Sequence, residues 1–259
     1  MRHPTKAKGH AFESVAIVGA GRLGSALARA LRATGIEVAG PLARGESAEA
    51  DVVLICVPDG EIAAAAAAVG QGSARFVGHT SGATPIAALG SAGGEAFGVH
   101  PLQTFAGGES ADAFAGVGCA IAGFTDEATS VARELAERLG MQPFELADRD
   151  RAAYHAAASV ASNFLVTLQH AAEELAAGAG LERHEARALL APLVRSTVEN
   201  WAERGPEAAL TGPVARGDEA TVDRQRDAVE DVAPHLLPLF DELVERTRAV
   251  ADARKAVPA

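Results

Sequence analysis

Between residues 14 and 145, short runs of β-branched and other apolar residues alternate with Ala-rich stretches whose apolar positions recur at helical spacing. The runs at 15–18, 36–39, 52–57, 75–78, 96–99 and 119–122, with a further one at 143–146, predict strands. Helices are expected between them at 23–33, 61–69 and 125–139, closed by Gly35, Gly70 and Gly140, each suited to a left-handed C-cap. In the third of these, Ala128, Val131, Leu135 and Leu139 form one apolar stripe. Strand and helix alternating in this way predict an α/β fold, a doubly wound parallel sheet covered on both faces.

From about Asp148 the strand signal ends and only helical periodicity remains. The chain therefore reads as two parts, a sheet domain over 1–146 and an all-helical domain over 147–259. A long helix is expected over 148–177, and Leu190, Leu193, Val194, Thr197, Val198 and Trp201 mark another, which Pro192 is expected to kink or restart. The Gly205-Pro206 and Gly212-Pro213 pairs predict breaks, and Leu236, Phe240, Leu243 and Val244 a last amphipathic helix.

Composition narrows the partners. Lys and Arg number 23 against 34 Asp and Glu, a net charge of −11 that repels a phosphate backbone and an anionic membrane alike, so neither nucleic acid nor membrane is an expected partner. The two cysteines, Cys56 and Cys119, sit in apolar stretches and provide no zinc-ligand spacing; no metal is expected, and both read as core thiols of a reducing compartment. Residues 1–14 are polar and basic with no apolar run behind them, and the six-alanine run at 63–68 is too short to span a bilayer, so the expected location is cytoplasmic.

The strongest chemical signal is Val15-Ala16-Ile17-Val18-Gly19-Ala20-Gly21-Arg22-Leu23-Gly24, an apolar strand running into Gly-x-Gly-x-x-Gly and then a helix. Gly19 permits the tight turn, Gly21 lets the backbone approach a pyrophosphate, and Gly24 allows close helix-on-strand packing. The helix start at Arg22 and Leu23 presents free N–H groups to the anion. About twenty residues on, an acidic residue would bond a ribose 2′-hydroxyl; here residues 40–45 read Gly-Pro-Leu-Ala-Arg-Gly, and Arg44 suits a 2′-phosphate. NADP(H) is thus favoured over NAD, with Arg44 as a solvated loop residue, or Glu46 or Glu49 serving NAD, as the alternatives.

Ligands of open parallel sheets bind beyond the carboxyl ends of the strands, where Val57-Pro58-Asp59, His79-Thr80-Ser81-Gly82 and His100-Pro101-Leu102-Gln103-Thr104-Phe105 fall. Val57, Pro58 and Ser81 are candidate cofactor contacts, and Gln103 and Thr104 candidate substrate contacts. His100 reads equally as a site group or a hydrogen-bonded loop histidine; for His79 the structural role is preferred. On the helix expected after Asp148, His155, Ser159, Ser162, Asn163 and His170 share an arc of about 100°, a polar stripe suited to touching a ligand or a neighbouring helix. In Thr211-Gly-Pro-Val-Ala-Arg-Gly-Asp218, Arg216 is placed to clamp a carboxylate and Asp218 is a further candidate substrate contact, unless the loop pairs with itself and Asp218 caps the next helix.

Gly19-x-Gly-x-x-Gly24, His100-Pro-Leu-Gln-Thr-Phe105, His155-x6-Ser162-Asn163-Phe164 and Thr211-Gly-Pro-x-x-Arg-Gly-Asp218 together resemble the Rossmann-like family whose C-terminal part is the domain of unknown function number 2520. That family is similar in architecture to the 6-phosphogluconate dehydrogenase C-terminal-like superfamily, with its ketopantoate reductases, pyrroline-5-carboxylate reductases, prephenate dehydrogenases and deazaflavin-dependent NADP oxidoreductases. The resemblance implies an NADPH-dependent reductase of a small 2-keto acid, ketopantoate first, with the substrate held between the two parts and a homodimer paired through the helices. In related β-hydroxyacid dehydrogenases a proton-donating Lys precedes an Asn by four positions; here Ser159 precedes Asn163, and His155 or His100 is the candidate donor instead. Asn163 and Ser159 would bond the reacting oxygen and Arg216 the carboxylate. An imine reductase, a prephenate-type dehydrogenase and a non-catalytic NADP(H) sensor remain the other readings.

Overall fold

The computed structural model describes residues 11–43, 46, 49–69 and 74–256. All seven predicted strands form: β1 Ser14–Val18, β2 Glu37–Leu42, β3 Val52–Ile55, β4 Phe76–His79, β5 Glu95–Pro101, β6 Gly118–Gly123 and β7 Gln142–Glu145. They make one sheet in the order β2-β1-β3-β4-β5-β6-β7. Its interior strand β3, Val-Val-Leu-Ile, is buried along its whole length, as a strand covered on both faces must be. The predicted β2 was to stop before Gly40-Pro41 but runs through Leu42; on an edge strand the missing proline N–H breaks no ladder.

One expectation needs correction. The sheet is parallel from β2 to β5, but β6 pairs antiparallel to β5, and β7 runs parallel to β6. A parallel crossover takes a dozen or more residues, usually with a helix, and the β5–β6 connection contains none.

The helices are α1 Arg22–Ala33, α2 Ile62–Val69, α3 Asp126–Arg138, α4 Arg151–Ala161, α5 Asn163–Gly178, α6 Arg183–Ala209, α7 Pro213–Arg216, α8 Glu219–Val232 and α9 Leu237–Ala256. On one face of the sheet, Ala26, Leu27 and Leu31 of α1 and Val131 and Leu135 of α3 pack on Val15, Ile17, Leu54, Phe97 and Ile121. On the other, Ile62 and Ala66 of α2, with Ile86 and Leu89 of a 3-10 turn, cover Val53, Ile55 and Val77. The sheet is therefore doubly wound. Leu31 is fully buried, so its truncation to Ala would cost about 3 kcal/mol. Helix α3 starts where Thr125 Oγ1 accepts from the Ala128 N–H at 3.0 Å, with Asp126 and Glu127 in the first turn. Gly35 and Gly140 have positive φ after α1 and α3, as expected; Gly70 lies outside the described residues.

The strands end with β7 at Glu145, close to the expected boundary at 146, but the contacts divide the chain one helix later, into units 1–162 and 163–259. The long helix expected over 148–177 is two, α4 and α5, broken at Ser162 (φ −117°, ψ −71°). Ser and Asn compete with the backbone for hydrogen bonds and favour helix ends, and the break falls on the Ser162-Asn163 pair. The polar stripe is divided accordingly, with His155 and Ser159 on α4 and Asn163 and His170 on α5. In the second unit α6 carries Pro192 inside the helix and does not restart there, and it departs from helical geometry at Gly205 (φ 76°), where a break was predicted. Among the described residues no helix is long and apolar enough to cross a membrane.

Candidate functional site

The strand order reverses between β1 and β3, with β2 to one side of β1 and β3 to β5 on the other, and this switch point is where the glycine turn lies. A Cβ on Gly19 (φ +114°) would fall 2.3 Å from the Cys56 carbonyl oxygen, and one on Gly24 2.1 Å from the Gly19 carbonyl oxygen. A Cβ on Gly21 would meet nothing within 4 Å. The first and third glycines thus close the turn on β3 and on the helix, while the second faces open space at the start of α1. No acidic residue stands in that first turn, and Arg22 is its first residue, so the helix start favours an anion. Leu23 is half-buried against the core, and half-buried Val57 lies beside Gly19, whereas Pro58 is exposed before a 3-10 turn. Arg44 lies outside the described residues. The Glu46 carboxylate accepts from the Ala43 N–H at 2.7 Å and so folds back on its own loop.

Beyond β4 and β5 the polar groups are held in a network. Ser81 accepts from the Ala83 and Thr84 N–H groups at 3.1 and 2.9 Å and donates to Thr84 Oγ1 at 3.0 Å, so its hydroxyl shapes the turn. Its carbonyl accepts from Arg151, which is only 2% exposed and also donates to Asp148 at 2.6 Å; Asp148 in turn accepts from the Ile86 N–H at 3.0 Å. Gly98 leaves the room: a Cβ there would lie 2.8 Å from the Arg151 guanidinium and 3.6 Å from the His79 ring. His79, fully buried, accepts on Nδ1 from the Ser81 N–H at 3.2 Å. Burial, and then the Arg151 charge, push its pKa down to about 4.

At the end of β5 the His100 ring stands over Gly82, and its Nδ1 is 2.7 Å from the hydroxyl of Tyr154 on α4. The two rings meet edge-on at 5.5 Å, Phe144 of β7 packs on Tyr154 from 5.9 Å, and the ring of His155, exposed on α4, lies 6.5 Å from His100. Burial first, then His155 and Arg151, hold the His100 pKa at about 4, so its imidazole is neutral at physiological pH. Burial raises the Tyr154 hydroxyl to about 12.

Of the predicted site residues, the first unit gathers Gly19, Gly21, Arg22, Leu23, Gly24 and Val57 at the switch point and joins His100 with His155 beyond β5. Ser159 is half-buried on α4, and Gln103 and Thr104 are exposed, Gln103 bonding the Thr104 N–H. Arg22 reaches the Phe105 carbonyl at 3.4 Å, tying the loop after β5 to α1. In the second unit Asn163 is exposed at the start of α5 and Arg216 at the end of α7, and Asp218 accepts from the Thr221 N–H and hydroxyl as the cap of α8. The cap alternative for Asp218 is thus realised. Sequence reasoning missed Tyr154 and Arg151; the one signal available was an aromatic and a cation amid the alanines of 151–158.

Fold and glycine turn together define a Rossmann-like α/β unit with a helical extension. The chain belongs to the family described as Domain of unknown function (DUF2520), which matches residues 117–247. Similar solved structures include a Bacteroides fragilis protein, BF3122, provisionally described as an NADP oxidoreductase. It is 21% identical with a TM-score of 0.77, over 92% of this chain and 99% of that one. Protein TM1727 from Thermotoga maritima is 24% identical with a TM-score of 0.76, over 93% and 99%. The pyrroline carboxylate reductase of Plasmodium falciparum with NADP bound is 12% identical with a TM-score of 0.57, over 93% and 98%. At such identities the likeness is one of fold. No curated protein matches the chain in sequence.

Proposed function

We propose that the protein is an NADP(H)-dependent reductase acting on the carbonyl group of a small 2-keto acid, with ketopantoate, reduced to pantoate, as the first substrate to test. The observation that carries this reading is the glycine turn, in which Gly19 and Gly24 have no room for a Cβ while Gly21 opens onto free space before a helix start that bears no acid. Gly21, Arg22 and Leu23 would hold the pyrophosphate with backbone N–H groups, and Arg44 would pair with the 2′-phosphate. Support comes also from the relatives of like fold, among them a reductase with NADP bound. When bound, the dihydronicotinamide supplies hydride, and this chain must orient the reacting bond and deliver a proton.

Reduction of a C=N bond is the second reading, favoured by the likeness to pyrroline carboxylate reductase. Calorimetric titration with NADPH, followed by NADPH oxidation in the presence of ketopantoate, other 2-keto acids and cyclic imines, tests both. Submillimolar NADPH binding with turnover of one class is the expected result, and no uptake of either NADPH or NADH overturns it. Binding without turnover of any carbonyl or imine would identify an NADP(H) sensor.

The same reading includes a homodimer. Among the described residues the second unit buries no apolar side chain larger than Val222 and Val229, while Leu189, Leu193 and Trp201 lie exposed along one stripe of α6. Such helices need a partner for their apolar face, and a second copy supplies one by symmetry.

A further inference from the structure

We infer that Tyr154, held by His100, is the proton donor of this site. The inference rests on the reductase reading above and assigns a group to the role that the Ser159 position leaves open. The Tyr154 hydroxyl lies 2.7 Å from His100 Nδ1 at the carboxyl end of β5, the side of the sheet on which the glycine turn opens. Its ring is fixed edge-on by His100 and by Phe144, so the hydroxyl is oriented before a substrate arrives. His100 does not itself fit the donor role, because its imidazole is neutral at physiological pH. It fits instead as the positioning residue, with the neutral ring's Nδ1–H directed at the phenolic oxygen. The charged and titratable groups around the pair are Cys119 from β6 and Arg151 from α4 near Tyr154, and His155, Arg151, Asp59 and His79 near His100.

The step balances. The bound dihydronicotinamide would supply the hydride, and with it the two electrons, that the carbonyl carbon takes up as the C=O π pair moves onto oxygen. The Tyr154 O–H bond breaks and its proton joins that oxygen. The phenolate formed accepts the His100 Nδ1–H bond and regains a proton from water after the product leaves. A buried phenol remains protonated through the neutral range, yet it is a stronger acid than the alcohol being formed.

Tyr154 is the chain's only tyrosine, so biosynthetic labelling with fluorotyrosine places a single fluorine probe beside the proposed reaction centre. In the full-length protein, saturating NADP+ and NADPH should move the fluorine resonance to different positions, since only NADP+ brings a positive ring. Identical spectra with the two bound forms would overturn the inference. Tyr154→Phe should bind NADPH as wild type does and lose turnover about 100-fold or more. His100→Leu should lower kcat more than tenfold with KM unchanged, and His100→Asn, whose amide can donate in place of Nδ1–H, should recover part of it. Turnover by Tyr154→Phe within about threefold of wild type would remove Tyr154 from the role while leaving the reductase intact. Failure of the wild-type protein to bind NADPH would overturn the reductase reading and the donor assignment with it.

Discussion

A Cβ on Gly24 would sit 2.1 Å from the carbonyl oxygen of Gly19. The first turn of α1 is thereby pressed onto the end of β1, and the glycine between them is left facing outward. Structure and ligand binding are assigned to different glycines of one motif, which makes them separable by substitution.

Gly21→Ala, with ordinary φ and nothing within 4 Å, should change stability by less than about 0.5 kcal/mol yet weaken NADPH binding about tenfold. Gly19→Ala and Gly24→Ala should each destabilise the fold by about 2 kcal/mol or more, by overlap with backbone and, at Gly19, by a positive φ. Thermal melts with calorimetric titration distinguish the two effects; equal melting losses for all three would contradict the division.

Arg151 is buried against Asp148 and the Ser81 carbonyl, so a neutral partner strands a cation in the interior. Asp148→Asn is expected to cost about 3 kcal/mol in urea unfolding. A loss below about 1 kcal/mol would mean that water or another group reaches the guanidinium.

Acid should weaken the first unit before its carboxylates titrate. His79 and His100 have folded pKa values of about 4 against an ordinary 6.5, so between those values the unfolded chain binds more protons. Their contribution is complete above about pH 6.5 and is lost as the pH falls toward 4, roughly 2 kcal/mol for each histidine by pH 5. Urea midpoints measured from pH 8 to 5 should fall, and His100→Gln should flatten the slope; an unchanged slope in that variant would place the proton uptake elsewhere.

The exposed stripe of α6 provides a test of assembly. Light scattering should give twice the mass of one chain, and Leu193→Asp should shift it toward one. Trp201 is the only tryptophan, so its emission should move to longer wavelength in the same variant. A wild-type monomer with unaltered emission in the variant would exclude this face as the contact.

The inner strands could be read from the sequence because they are compact apolar runs between turn residues, as Val52-Val53-Leu54-Ile55 is, buried along its whole length. The glycine turn could be read for a similar reason, since its chemistry is local. Strand direction is not local: nothing within β6 says that it opposes β5, although the lack of a helix between residues 102 and 117 carried the information. The break at Ser162 was obscured by alanines that suit one long helix as well as two short ones. Tyr154 and His100 are 54 positions apart, and only the packing of α4 beside β5 makes them neighbours.

The reversal at β6 decides which way the chain climbs. Because β7 runs against β5, it delivers the polypeptide to the amino rim of the first five strands, and α4 must rise from there. It passes Gly98 with Arg151 and reaches His100 with Tyr154, one turn per step toward the opposite rim. The same strands laid all in one direction would bring the chain out at the upper rim, and the helix would descend, carrying its tyrosine away from the histidine it now meets.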